Sequence, residues 1–351
     1  MISKKFFTLF PTPRFLKFSY VGFEICSDRV RYAEILNKDG KGIGLGRHGE
    51  QVFTPGDDIF SNQSLKNVLT EIAKKEKITH IKATLPEESN YIFTLNVEGE
   101  DIEAVRNFIE FRLEENVPIS GADALFDAYL LPSQEDQKRA VVSVVSREIV
   151  EKYINLFKEC NLTPVAFMAE ASSLSRSVIK KHDLSTNLLV YLSKNKTVFS
   201  VVNQGYVQFS STLGVGSSLM TSALKKYFEV SDEEALKMKK EKGFVDKDNK
   251  DVMSALVNAV SVLRDEIQRV ELYWRTHHDK TSVAPIERVV LLGDDASIPG
   301  FAEYLSVSLK TKVEMGNVWE NFEKYKTEVP PLHFDDSLSF GACIGLSLTS
   351  L

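Results

Sequence analysis

Cysteine is scarce, with 3 in 351 residues. Cys26, Cys160 and Cys343 stand too far apart to share metal-ligand spacing. A disulfide framework and a zinc module are thereby excluded, and the thiols read as reduced ones in a cytosolic protein. Long apolar runs are missing too: none reaches the ~18 residues of a membrane-spanning helix. There is no surplus of positive charge, since 43 Lys and Arg face 49 Asp and Glu for a net charge of -6. That balance excludes a global electrostatic grip on nucleic acid. Nor is there compositional bias: 43% hydrophobic and 26% charged residues are ordinary globular values, which excludes wholesale disorder and collagen. The length fits about two domains at roughly 150 residues each.

One stretch lacks acids altogether. From Met1 to Phe23 the charged side chains are Lys4, Lys5, Arg14 and Lys17, interleaved with Phe6, Phe7, Leu9, Phe10, Phe15, Leu16 and Phe18. Pro11 and Pro13 interrupt the apolar run too early for a signal peptide, and no small-residue cleavage site follows. Two readings stand: a basic-aromatic arm resting on an anionic membrane surface, or a leader whose aromatics pack on the protein's own surface.

Periodicity then orders the chain. Alternating apolar residues predict strands over 20–26 and 30–36, a turn over 37–42 and a third strand at 51–53. A helix over 61–75 carries Leu65, Val68, Leu69 and Ile72 on one face, and a strand over 78–85 ends at Pro86. A second block reads strand 91–97, helix 102–114, strands 124–131 and 140–146, helix 150–157 and strand 164–168. This order fits a small α+β unit inserted in a first lobe. A helix over 169–181 follows. Strands at 188–192, 197–202 and 206–211 lead to Gly214-Val-Gly216, and helices cover 217–228, 232–240 and 250–277. A strand over 288–292, a helix over 299–309 and a Gly/Ala-rich helix over 337–348 close the chain. Strands, a turn and then a helix thus occur twice, at 20–75 and 188–228, as a duplicated architecture without a residue-level repeat.

Six segments in this order carry a resemblance. They are Phe15-Leu-Lys-Phe-Ser-Tyr-Val-Gly-Phe-Glu-Ile, Ala83-Thr-Leu-Pro86, the LEENVP of 113–118, Leu263 to Tyr273, Val289-Val-Leu-Leu-Gly293 through Leu305, and Ser339-Phe-Gly-Ala-Cys-Ile-Gly-Leu346. Together they resemble the PilM-type type IV pilus assembly proteins, relatives of the cell-division protein FtsA, over roughly 11–348. The resemblance implies an α/β actin-like (ribonuclease H-like) two-lobed fold with an inserted α+β subdomain. Its expected parts are a leader at 1–18, a first lobe at 19–85 with 169–185 and 335–351, the insertion at 86–168, and a second lobe at 186–334 with a helical part at about 217–278. It also implies a cytoplasmic protein, peripheral at the inner face of the cytoplasmic membrane. Such a protein binds the N-terminal tail of a PilN-like inner-membrane partner and links it to the pilus motor complex. The tail's expected groove lies around 85–92 and 165–167.

The family fold carries ATP with magnesium between its lobes, and the residues can be judged against that chemistry. Such sites hold phosphates with two tight β-turns whose N–H groups point at the anion, where glycine permits close approach. A carboxylate beside each turn positions magnesium through water. The first turn here has Glu24-Ile-Cys26, then Ser27, Asp28 and Arg29, so a carboxylate survives but the glycine does not. Asp28 would repel phosphates unless Arg29 or Arg31 offsets it. The second turn, Tyr191-Leu-Ser193-Lys-Asn195, has neither carboxylate nor glycine, and the expected paired glycines of the adenosine loop read Gly293-Asp294-Asp295. The residues that remain as a degenerate nucleotide site are Glu24, Ser27, Arg31, Gly214, Gly216, Glu234, Lys237, Gly293 and Asp294. This pattern implies lost catalysis and no certain cofactor, with ATP and magnesium as the open alternative.

Rival classes are a slow ATPase using Glu24 and Ser27 with Gly214 and Gly293, and an FtsA-like membrane-associated filament protein. Adjacent histidines in His277-His278-Asp279 point about 100° apart on a helix and do not form a metal site. Cys26 reads as a small buried residue, the acid pairs Asp294-Asp295 and Asp335-Asp336 as helix-preceding aspartates, and the lysine-rich 237–242 stretch as a solvated face.

Overall fold

The computed structural model describes residues 20–37, 43–98, 102–131, 138–245, 250–277 and 284–348. The leader, the tip of the hairpin after residue 131, and His278 with Asp279 lie outside them.

The first lobe begins as an antiparallel meander of β1 (Val21–Ile25), β2 (Arg29–Asn37) and β3 (Ile43–Val52). Helix α1 (Gln63–Glu76) follows, with Asn62 Oδ1 accepting from the Leu65 N–H at 3.0 Å. This side-chain cap satisfies one of the helix's free donors. The helix buries Leu65, Val68, Leu69 and Ile72, as its periodicity predicts. Strand β4 (His80–Leu85) then runs parallel to β1.

The chain next builds a three-stranded antiparallel sheet, ordered β5-β7-β6, from β5 (Asn90–Asn96), β6 (Ala124–Leu130) and β7 (Arg139–Ser146). Helices α2 (Ile102–Phe111) and α3 (Leu113–Asn116) belong to this unit, so the single helix expected over 102–114 is broken at Arg112. The insertion is smaller than expected. Helix α4 (Arg147–Glu159) buries Tyr153, Leu156 and Phe157 in the first lobe's core, and β8 (Thr163–Ala169) pairs in parallel with β4. The first-lobe sheet therefore reads β3-β2-β1-β4-β8.

Helix α5 (Glu170–Val178) crosses to the second lobe, which repeats the plan. Strands β9 (Asn187–Leu192), β10 (Thr197–Asn203) and β11 (Tyr206–Leu213) form a meander, and β12 (Arg288–Gly293) and β13 (Lys312–Met315) extend it in parallel. The order β11-β10-β9-β12-β13 matches the first sheet strand for strand. Every residue of β9 is buried, as in a parallel-type strand covered on both faces. Helices α6 (Ser218–Phe228), α7 (Asp232–Glu241), α8 (Lys250–His277) and α9 (Phe301–Leu309) cover this lobe. Inward-facing Leu256, Leu263, Ile267, Val270 and Trp274 of α8 are all buried.

The expected closing helix is divided into α10 (Phe334–Ser337), a 3-10 turn and α11 (Gly341–Ser347). Helix α11 lies on α5 and on β1, so the chain's end returns to the first lobe. A Cβ at position 345 would sit 1.7 Å from Ser173 O; only glycine lets these two helices cross so closely. The residues of this crossing and of the second-lobe sheet form one continuous core, while the first-lobe sheet packs with α1 and α4 in a second one.

Candidate functional site

Between the lobes, two turns face each other. The first joins β1 to β2 and is closed by the Cys26 N–H donating to Arg29 O at 2.8 Å. The second joins β9 to β10 and is closed by the Ser193 N–H donating to Lys196 O at 3.0 Å. A cleft of about 710 Å³ opens beside them, lined among others by Arg29, Lys194, Ser218, Thr221, Lys239 and Asp336.

Arg31 is the centre of the side-chain network here. Register places it opposite Glu24 on β1 and opposite Glu50 on β3, so one guanidinium sits between two carboxylate-bearing strands. It is only 1% exposed. Its Nε donates to Glu50 Oε2 at 3.0 Å, its Nη1 to the Tyr191 hydroxyl at 3.4 Å, and its Nη2 to Asp294 Oδ1. Tyr191, at the end of β9, donates its hydroxyl to Glu24 Oε1 at 2.7 Å. At the rim, Lys194 of the second turn donates to Asp28 of the first at 2.7 Å, and Arg29 Nε reaches the same carboxylate at 2.9 Å.

Burial and charge set the protonation states. Burial pushes Glu24 up to about 7, with Arg31 pulling it down and Glu170 adding to the rise. Asp28 goes the other way: desolvation is outweighed by hydrogen bonds from Arg29 and Lys194, which hold it at about 2. The Cys26 thiol is raised well above its usual value by desolvation and by neighbouring Glu24, which keeps it a protonated, unreactive group.

The sequence-derived residues separate in space. Glu24, Arg31 and Asp294 meet in the network. Gly216 and Gly293 lie against the second turn as backbone spacers: a Cβ would fall 2.2 Å from Ser193 O and 2.0 Å from Leu192 O, respectively. Gly293 also needs its φ of +98°. Gly214 has open space where a Cβ would be, and Ser27 is exposed at the first turn. Glu234 and Lys237 are exposed on α7. There Glu234 completes a capping box with Ser231 instead of facing the cleft.

Two readings of acids and lysines change. Asp294 and Asp295 are pair partners, not helix-preceding caps: Lys239, expected on a solvated face, is 2% exposed and donates to Asp295 Oδ2 at 2.6 Å. Glu50, Lys194, Lys239 and Asp295 were missed as cleft residues. No signal along the chain points to them: Glu50 falls outside the expected strand at 51–53, and sheet register alone puts it opposite Arg31.

A second concavity, of about 330 Å³, lies between the inserted sheet, the first lobe and the β10–β11 turn of the second lobe. Register puts Ile92, Ser143 and Asp127 in one row across the sheet and Tyr129 opposite Val141 in the next. These residues share one face and line the groove, with Phe167 of β8 and Arg176 of α5 as the opposite wall. The other face packs on α2 through Val142 and Val144. The expected groove segments 85–92 and 165–167 both contribute to this lining, at Leu85, Asn90, Ile92 and Phe167. Behind it, buried Glu87 accepts from Ser210 Oγ at 2.6 Å and the Ala171 N–H at 2.9 Å.

Two sheets of identical strand order, closed around a cleft with a turn from each at its mouth, define an actin-like two-lobed protein. A profile described as "Type IV pilus assembly protein PilM" matches residues 22–351, and the chain belongs to that family. Among solved structures, the PilM-PilN type IV pilus biogenesis complex aligns at a TM-score of 0.72 and 16% identity, covering 96% of this chain and 98% of that one. The ethanolamine utilization protein EutJ from Carboxydothermus hydrogenoformans follows at 0.55 and 13%, covering 96% and 91%. MreB5 of Spiroplasma citri bound to ADP aligns at 0.54 and 11%, covering 93% and 94%. At these identities the likenesses show the actin-like fold. No match is found among curated protein sequences. Among the described residues, no helix is long and apolar enough to cross a membrane.

Proposed function

We propose that this protein is a cytoplasmic pilus-assembly scaffold, peripheral at the inner face of the membrane. Its groove would hold the N-terminal tail of a PilN-like membrane partner and connect it to the pilus motor complex. The observation that carries this reading is the groove itself. It has an apolar floor from Ile92 to Val141, walls from two different units, and a carboxylate and a guanidinium at Asp127 and Arg176 to orient a peptide. Strand β6 forms an edge of its sheet, and an extended tail binds such a place by backbone pairing with side chains in pockets. The structural likeness to the PilM-PilN type IV pilus biogenesis complex supports the choice of partner. The nucleotide site is read as degenerate, because Tyr191 stands where a second magnesium-positioning carboxylate belongs. The basic-aromatic leader would add contact with anionic lipid.

Calorimetry with cytoplasmic tails of bitopic pilus proteins tests the scaffold. Binding by the intact protein, weakened at least about tenfold by Ile92→Asp in the groove floor, is the expected result. A folded protein that captures no such tail overturns the reading, and steady release of phosphate from ATP would overturn the catalytic part of it.

A further inference from the structure

The lobes of this protein are joined across the cleft by its own side chains. Four bonds cross between the two turns and the strands behind them: Tyr191 to Glu24 at 2.7 Å, Lys194 to Asp28 at 2.7 Å, Arg31 to Tyr191 at 3.4 Å, and Arg31 to Asp294. Close by, Lys196 of the second turn reaches first-lobe carboxylates at Glu88 (2.9 Å) and Glu170 (2.8 Å). A nucleotide in this fold joins the lobes by placing its phosphates between the two turns. Here the side chain of Lys194 reaches Asp28 of the facing turn and occupies the space between the two turns. The charges also oppose a phosphate there. Arg29, Arg31 and Lys194 are each engaged with carboxylates, so a polyphosphate would have to strip a cation and leave an acid uncompensated, a costly exchange where the pair is buried. The described residues do not fit magnesium-bound triphosphate between the turns.

We infer that Arg31–Asp294, Tyr191–Glu24 and Lys194–Asp28 form a clasp that takes over the nucleotide's structural role and holds the two lobes shut without a ligand. Arg31 suits the task, since its planar fork serves Glu50 of its own lobe and Asp294 of the other at once. The pairs lie at different depths, Arg31 wholly buried and Lys194 about half exposed. The clasp therefore has a dry centre, where electrostatics are strong, and a screened rim.

Hydrogen exchange and melting on the full-length protein test the clasp, using Asp294→Asn at the centre and Asp28→Asn at the rim as separate variants. The rim variant removes only a partly exposed pair, so it keeps the test open if the central one fails to fold. In the wild type, millimolar magnesium-ATP is expected to move the melting midpoint by less than about 1 °C, as for a ligand that gains no differential binding to the native state. In the variants, amides of both turns should exchange at least about tenfold faster while those of β5, β6 and β7 keep their rates. Slower wild-type exchange at both turns with magnesium-ATP, or a melting rise of several degrees, would overturn the inference. So would wild-type exchange rates in the rim variant. The inference does not depend on the partner: tail capture retained while the clasp fails these tests sinks only the clasp, and tail capture lost with the clasp intact sinks only the scaffold.

Discussion

At the scale of single residues, the informative groups are charges buried against one another. Glu24 titrates at about 7 in the fold, against an ordinary 4.5. Because its folded value is raised, its contribution to stability is complete below pH 4.5 and is lost as the pH rises through 7. Glu24→Gln should therefore gain on the wild type by about 1–3 kcal/mol between pH 5 and pH 8, measured by urea denaturation at both; a constant difference would refute the assignment. Lys239→Ala leaves Asp295 buried without its cation, at an expected loss of about 3–5 kcal/mol. A loss under 1 kcal/mol in the same denaturation experiment would mean that water reaches the carboxylate. Of these residues, Glu24, Arg31 and Asp294 were named from the chain, through the resemblance of their turns to the family's nucleotide site. Lys239 was not. It sits in a run of lysines and glutamates that looks solvated, and only the packing of α7 on the loop after β12 turns it inward.

Among elements, long periodic ones were readable and short or glycine-rich ones were not. Helices α1 and α8 follow from their apolar stripes. Strand β3 extends back to Ile43, well beyond the expected 51–53, because Gly44, Gly46 and Gly49 depress strand propensity. Gly49 leaves room for a neighbour: a Cβ there would meet the Tyr32 hydroxyl at 2.8 Å. Strand β13 escaped notice because among its four residues only Val313 is a buried apolar side chain. Strand β8 was seen but assigned to the insertion, since nothing local tells a strand which sheet it joins. The α5–α11 crossing gives a sharp prediction. Gly345→Leu must separate helices that touch at backbone distance and should cost at least about 2 kcal/mol, seen as a lowered melting temperature. Wild-type stability would show that the crossing can spread. Ser231→Ala removes the α7 capping box for about 1 kcal/mol, without effect on anything the cleft binds.

For the whole molecule, separate cores predict a hierarchy of opening. The inserted sheet has its own small cluster around Val142 and Val144, while α5, α11 and the second sheet share one large core. Amides of β5, β6 and β7 should exchange faster than those of β9 and β12; equal protection would mean that the insertion opens only with the lobes. What the sequence determined by itself was the family, through six segments in the right order, and the two-fold repetition of the lobes, because short motifs and strand periodicity are local properties. Tertiary structure alone decided that Arg31, Asp294, Tyr191 and Glu24 join, that Lys194 closes on Asp28, and that Ile92 faces Phe167 across a groove. Those pairs are brought together by sheet register and by the closing of one lobe on the other, which no spacing along the chain records.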